Sequence, residues 1–154
     1  MLSQTSEHAI RALLYLAQRP TGQAVPAERI ARALGAPANY LAKTLNALAK
    51  HGLVSSTRGP AGGFCLRAPA GAITLAEVVE AFGEQRAQAI CMLGDRPCSA
   101  RTPCAAHVRW MQVQGAMHAP LRSTSIADLL DSPRAGQHTA GVHAGTHGPA
   151  AFAA

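Results

Sequence analysis

PAERIARALGAPANYLAKTLNALAKHGLVSSTRGPAGGFCLR, residues 26–67, is the stretch on which the fold turns. Proline is favoured at the first position of a helix and an acidic residue suits its first turn, so Pro26 and Glu28 open a helix that runs through Ile30 to Leu34 and stops at Gly35. A second helix follows from Pro37 to Lys50, with Leu41, Leu45 and Leu48 on one face and Gly52 just past its end. Two short helices joined by a tight glycine-containing turn form a helix-turn-helix, whose second helix meets the major groove with its N-terminal residues. Those residues are Pro37, Ala38, Asn39 and Tyr40, with Lys43 one turn on. Asn can read an adenine edge through two hydrogen bonds, and Lys can hold a phosphate or a guanine edge. The plainer alternative is a helical hairpin in which Asn39 is only a cap.

Residues 53–67 choose between these readings. Val54, Phe64 and Leu66 bracket a glycine-rich turn, which predicts a β-hairpin with its tip at Gly59 to Gly63. A hairpin directly after a recognition helix is a wing. Arg58, Gly59, Pro60, Gly62 and Gly63 form its tip, where small residues let the backbone come close to a minor groove or to phosphates. No Lys-Ser/Thr follows the glycines, so a nucleotide-cradling loop is not indicated. Cys65, in the returning strand, reads as a small packed hydrophobe.

On the N-terminal side, Ile10, Leu13, Leu14 and Ala17 mark a helix over Glu7 to Gln18 with Ser6 as its cap. On the other side, Thr74 and Glu77 make a capping box for a helix that ends at Gly83. A long helix from Pro103 to about Ala119 carries Val108, Met111, Gln112 and Gly115 on one face. It exceeds what a small winged core can cover and is expected to pair with a second copy. Ser125 caps a short helix from Ile126 to Leu130. From Ser132 onward Gly, Ala, His, Pro and Thr dominate, which predicts a disordered tail in which His138, His143 and His147 are adventitious metal donors at most. The fold class is therefore mainly α with a small β-hairpin wing. The domains read as winged helix-turn-helix at 1–83, cysteine-rich loop at 84–102, dimerisation and short helices at 103–131, and tail at 132–154.

Charge supports a nucleic-acid partner only in combination with these elements. Residues 1–70 hold eight Lys/Arg against two Asp/Glu, whereas residues 71–154 hold six of each, so the whole excess of +6 lies in the winged half. No run of eighteen apolar residues exists to span a membrane, and the N-terminus lacks the basic leader of a secretory signal. A cytoplasmic location follows, where thiols stay reduced and clustered cysteines indicate a metal site or redox switch in place of a disulfide scaffold.

Three of the four cysteines occur in CMLGDRPCSARTPCAAHVRW, residues 91–110. Gly94, Pro97 and Pro103 break the segment, so Cys91 and Cys98 can converge on Cys104. Pro103 is expected to open the long helix, placing Cys104 in its first turn and His107 one turn on. Three Cys and one His suffice for tetrahedral zinc or for most of an iron-sulfur ligand set. Gaps of six and five residues exceed the usual structural-zinc knuckle and suit the wider cluster. The bland reading, inert buried thiols, sits poorly with the polar GDRP and SART surroundings.

Together the N-terminal helix, NYLAK, GLVSSTRGPAGGF, ITLAEVVEA, the three-cysteine segment with CAAHVRW, and SIADLL resemble the IscR/NsrR/RirA family of bacterial winged-helix regulators that carry iron-sulfur clusters, over roughly residues 1–131. The resemblance implies a cytoplasmic homodimer that binds palindromic double-stranded operator DNA, a repressor and no enzyme, and a cluster that senses redox state, nitric oxide or iron supply. It implies Cys91, Cys98 and Cys104 as cluster ligands, with [2Fe-2S] favoured over [4Fe-4S]. His107 matches the fourth ligand of the cluster-assembly branch, while Glu7, donated by the partner subunit, matches that of the nitric-oxide-sensing branch. Ala42 departs from the assembly branch, where a glutamate stands, and the first cysteine gap is one residue longer. The alternative of another class is a zinc-stabilised winged-helix DNA-binding or adaptor module without cluster sensing.

Overall fold

A computed structural model describes residues 2–59, 62–83, 91, 93, 99 and 101–131. Its first helix, α1 (Gln4–Ala17), is the centre of the fold. Nine of its fourteen residues are buried, from Ser6 and His8 to Leu16, because helices and strand edges pack around it on several sides. The helix begins three residues earlier than expected. Ser3, not Ser6, is the cap, its hydroxyl accepting a hydrogen bond from the Ser6 N–H at 3.1 Å. Ser6 is itself fully buried, and its small side chain lets neighbouring elements approach α1 closely.

α2 (Ala27–Leu34) and α3 (Ala38–Lys50) form the expected helix-turn-helix, with Pro26 and Pro37 in the cap positions, one residue outside the helices they were expected to begin. Gly35 makes the turn at φ 63°, a left-handed conformation that disfavours a Cβ. The Ala36 N–H then reaches back to the Ala31 carbonyl at 3.0 Å, closing a Schellman-type end. Ile30, Leu34, Leu41, Leu45 and Leu48, all 2% exposed or less, bury the facing sides of both helices against Leu13 of α1.

The wing is an antiparallel pair, β1 (Val54–Thr57) and β2 (Gly63–Leu66), in the register Val54↔Leu66 and Ser56↔Phe64. Val25 adds a third edge through two 2.9 Å bonds with Phe64. Gly63 is what lets that edge in, since a Cβ there would fall on the Val25 carbonyl. Cys65 is half-buried, less covered than a packed hydrophobe, because it lies on the face opposite Phe64.

Two capping boxes then close the domain. Thr74 caps α4 (Leu75–Glu80) with Glu77 returning its bond, and Ser125 caps the last helix, α6 (Ile126–Leu130), with Asp128 in the same role. The two caps pair with each other. Leu75 N–H donates to Thr124 O at 3.0 Å and Ile126 N–H to Ile73 O at 2.9 Å, so the chain leaves the core and rejoins it at one place.

Between those points lies α5 (His107–Ser123), and here the sequence reading needs two corrections. The helix does not start at Pro103. The His107 N–H closes a three-residue turn on the Cys104 carbonyl at 3.0 Å, so residues 103–106 form a separate turn ahead of the helix and Ala106 takes the cap position. Nor does it end before Pro120. Proline removes one backbone bond, but the Ser123 hydroxyl donates to Ala119 O at 3.1 Å and the Thr124 N–H to Pro120 O at 3.0 Å, which carries the last turn through. The expected tail from Ser132 lies outside the described residues. Among those described, no helix is long and apolar enough to cross a membrane.

Candidate functional site

Two surfaces matter: one precedes the paired capping boxes in the chain and the other lies between them. The first is the exposed face of α3 with the wing. Pro37, Ala38, Asn39 and Lys43 are exposed, while Leu41, Thr44, Leu45 and Leu48 anchor the helix from behind. Tyr40 differs from its neighbours. It is half-buried, its hydroxyl donates to Thr5 Oγ1 at 2.9 Å, and its ring meets His8 edge-on at 5.4 Å, so it fixes α3 to α1. Arg58 and Gly59 are exposed at the hairpin tip, and Pro60 lies outside the described residues. Gly62 is a structural glycine. Its N–H closes the tip on Gly59 O at 2.9 Å, and a Cβ there would collide with the Thr57 carbonyl.

One residue of this face escaped the sequence reading. Asn46 is exposed and lines a cleft of about 540 Å³ with Pro26, Glu28, Arg58, Gly59 and Gly63, between the start of α2 and the wing. Its spacing from Asn39 and Lys43, at i+7 and i+3, was the available signal. The result is a row of polar side chains along α3 that leads into the crook of the wing, with no acidic residue on α3 itself. Such a row can place amide and ammonium donors against base edges while Arg58 meets the backbone alongside.

The second surface is the cysteine segment. Cys91 and Cys104, thirteen positions apart, bring their Sγ atoms to 3.4 Å, and both are half-buried and not disulfide-bonded. Two thiolates on one tetrahedral metal with bonds of about 2.3 Å lie roughly 3.8 Å apart, whereas a disulfide closes to about 2.05 Å. The observed pair is therefore close to the spacing of two ligands that share an ion. Cys98 lies outside the described residues, so no group of three donors is seen among those described. His107 is half-buried at the first position of α5, one turn after Cys104, where its imidazole belongs to the same small region of chain. Glu7 is far from these residues in sequence, exposed on the first turn of α1, and ion-paired with Arg11 at 2.6 Å. The donor chemistry fits an iron-sulfur cluster or zinc, since soft thiolates with an imidazole or carboxylate are ligands of both.

Between the surfaces, α5 leaves Val108, Met111, Val113 and Met117 exposed, from 47 to 67%. Only Gln114 is buried along the whole helix, and a Cβ at Gly115 would meet nothing. Val108 and Met111 share one side of the helix and Val113 and Met117 the other, so apolar surface is open on both sides.

Comparison with known proteins follows the same lines. The family model described as "Rrf2: Iron-dependent Transcriptional regulator" matches residues 2–132. A protein of Aquifex aeolicus, provisionally described as an HTH-type transcriptional regulator, is 34% identical over 133 residues, 85% of this chain and 92% of that one. The HTH-type transcriptional regulator IscR of Citrobacter koseri is 30% identical over 131 residues, 85% of this chain and 80% of its own. Among solved structures, CymR, the global cysteine regulator of B. subtilis, superposes with a TM-score of 0.66 at 22% identity, over 84% of this chain and 95% of that one, a likeness of fold.

Proposed function

This chain belongs to the Rrf2 family of DNA-binding transcriptional regulators, and we propose that it is a homodimeric repressor whose operator affinity is set by an iron-sulfur cluster on Cys91, Cys98 and Cys104. The observation that carries the proposal is the 3.4 Å approach of Cys91 and Cys104, two half-buried sulfurs thirteen positions apart that are not joined in a disulfide. Iron is favoured over zinc because the matching family model is described as iron-dependent and because the cysteine gaps suit a body wider than one ion. His107 supplies the fourth donor, or Glu7 of a second copy does so after giving up Arg11. We favour [2Fe-2S] over [4Fe-4S]; with three cysteines either takes a single non-thiolate donor here. When bound, the cluster supplies irons that react with oxygen or nitric oxide and depend on iron supply.

The protein's part is mechanical. Its cysteine segment connects α4 to α5, and the far ends of those helices are tied together at Ile73–Leu75 and Thr124–Ile126. Drawing the cysteines together or releasing them changes the angle between the winged core and α5. Two copies paired through the exposed face of α5 then present their α3 helices at a different separation. Operator half-sites one helical turn, about 34 Å, apart make binding sensitive to that separation. Asn39, Lys43, Asn46 and Arg58 make the duplex contacts, with Pro37, Ala38 and the wing-tip residues Gly59, Pro60, Gly62 and Gly63 allowing close approach, in the cytoplasm where the thiols remain reduced.

Anaerobic purification followed by an absorption spectrum and metal analysis tests the reading. A brown protein with iron and sulfide, bleached by Cys98→Ala, is expected. A colourless protein with one zinc per chain would replace the sensor with a zinc-stabilised module.

A further inference from the structure

We propose that a cavity at the base of the wing, lined by no residue of the recognition helix, is an effector site for a small carboxylate with a short apolar body. The cavity, of about 280 Å³, lies between the end of α1 with its following loop and the end of β2 with the residues after it. Its two charged lining residues, Arg19 and Arg67, are both cations, and no Asp or Glu lines it. Among the described residues, neither arginine has a carboxylate within ion-pairing distance. The apolar part of the wall comes from Leu16, Leu66 and Pro69, and Cys65 adds a free thiol.

Arg19 is the telling residue. Its guanidinium stacks on the Tyr15 ring at 4.3 Å, and its Nε is buried with no hydrogen-bond partner. Stacking engages the flat face of the guanidinium and leaves the in-plane N–H edge unused, and a buried N–H without a partner is destabilising unless something fills that place. A carboxylate entering the cavity would take up the guanidinium edge in two parallel bonds as the side chain shifts to uncover Nε. Arg67 also lines the cavity and adds a second positive charge, although its Nη1 reaches outward to within 3.4 Å of where a Cβ would lie at Gly52. The volume falls just under the roughly 300 Å³ at which drug-sized sites begin, which excludes a nucleotide and suits an acid of a few carbons.

A duplex phosphate fits this place less well. The face that meets DNA is α3 and the hairpin tip at residues 58–62, whereas the cavity begins at Cys65, toward the other end of β2. Its position also gives an occupant leverage. The loop that forms one wall ends at Val25, which is hydrogen-bonded twice to Phe64 of the wing, and the other wall is β2 itself. A ligand touching both walls biases the wing relative to α1, and by linkage DNA and ligand must then alter each other's affinity. This site is independent of the cysteine cluster and stands whether or not that reading holds.

The test uses the full chain with hexanoate as probe, 1-hexanol and inorganic phosphate as controls, titration calorimetry, and mass mapping of Cys65 alkylation by iodoacetamide. Saturable hexanoate binding, at least fivefold protection of Cys65, and an affinity at least tenfold weaker in Arg19→Gln and Arg67→Gln are expected. Saturating hexanoate should also shift the affinity for a cognate duplex at least threefold in the natural protein and not in Arg67→Gln. If Arg19→Gln fails to fold, the exposed Arg67→Gln decides. Protection by hexanol equal to that by hexanoate, phosphate binding as tightly, or affinity surviving both substitutions would overturn the site. Binding without any change in duplex affinity would overturn its role as an effector site.

Discussion

Asn39, Tyr40 and Lys43 fall within five consecutive positions of α3 and differ in their surroundings. Asn39 and Lys43 are exposed, for the proposed contacts with a base edge and a phosphate, and Tyr40 is turned back onto Thr5 and His8. Lys43→Ala should therefore weaken binding to all duplexes alike and reduce the slope of log affinity against log salt by about 0.9, read by titrating salt in a binding assay. Asn39→Ala should cost about 1–3 kcal/mol at one base position and little elsewhere, read by substituting each operator base in turn. Tyr40→Phe should leave the salt slope alone and lower thermal stability by about 1 kcal/mol, the contribution of a typical hydrogen bond. Helical spacing made Asn39 and Lys43 legible in the sequence, because a solvent-facing polar residue announces itself. Tyr40 was not legible. Its partner is thirty-five positions away, and no local pattern encodes that pairing. Gly62 and Gly63 were legible as wing-tip residues, but the second demand on them was not: Thr57 and Val25 leave no room for a Cβ at either position.

At the scale of elements, the capping signals were the most readable and α5 the least. Thr74 with Glu77, a sequence-local device, is present as expected, whereas the start of α5 was misplaced because proline is compatible with a turn as well as with a first helical position. The pairing of the Thr74 and Ser125 caps is a long-range fact that no sequence spacing reveals. Ser125→Ala should lower stability by about 1 kcal/mol in chemical denaturation, through loss of the side-chain cap while the backbone tie between α4 and α6 remains. The Ser125 hydroxyl, and then its backbone N–H, hold the Asp128 carboxyl below the ordinary aspartate range. With the folded value depressed, the contribution of this bond is present above the unfolded value and fades as pH falls through the folded one. Acid unfolding of Asp128→Asn should accordingly show a weaker dependence in that acid window than the natural protein. For α5, Met111→Glu should turn the proposed dimer into monomers in analytical ultracentrifugation, since it places a charge on the side where Val108 and Met111 are about half exposed or more.

At the scale of the whole molecule, the sequence made the architecture legible because each element of the winged core carries its own local signal: proline, glycine, capping boxes and leucine spacing. The cysteine site was legible as a set of residue types and only partly as geometry. The meeting of Cys91 and Cys104 depends on how α4 and α5 leave and rejoin the core, which is a property of the closed fold. The central claim is that occupancy of this site sets the geometry of the dimer on DNA. It is tested most directly by measuring, under anaerobic conditions, the affinity for one selected palindromic duplex before and after the metal is removed by a chelator, with Cys98→Ala alongside. The account predicts that chelation changes the affinity at least tenfold and that Cys98→Ala behaves as the metal-free protein at every step. Equal affinities in the loaded and stripped protein would contradict it.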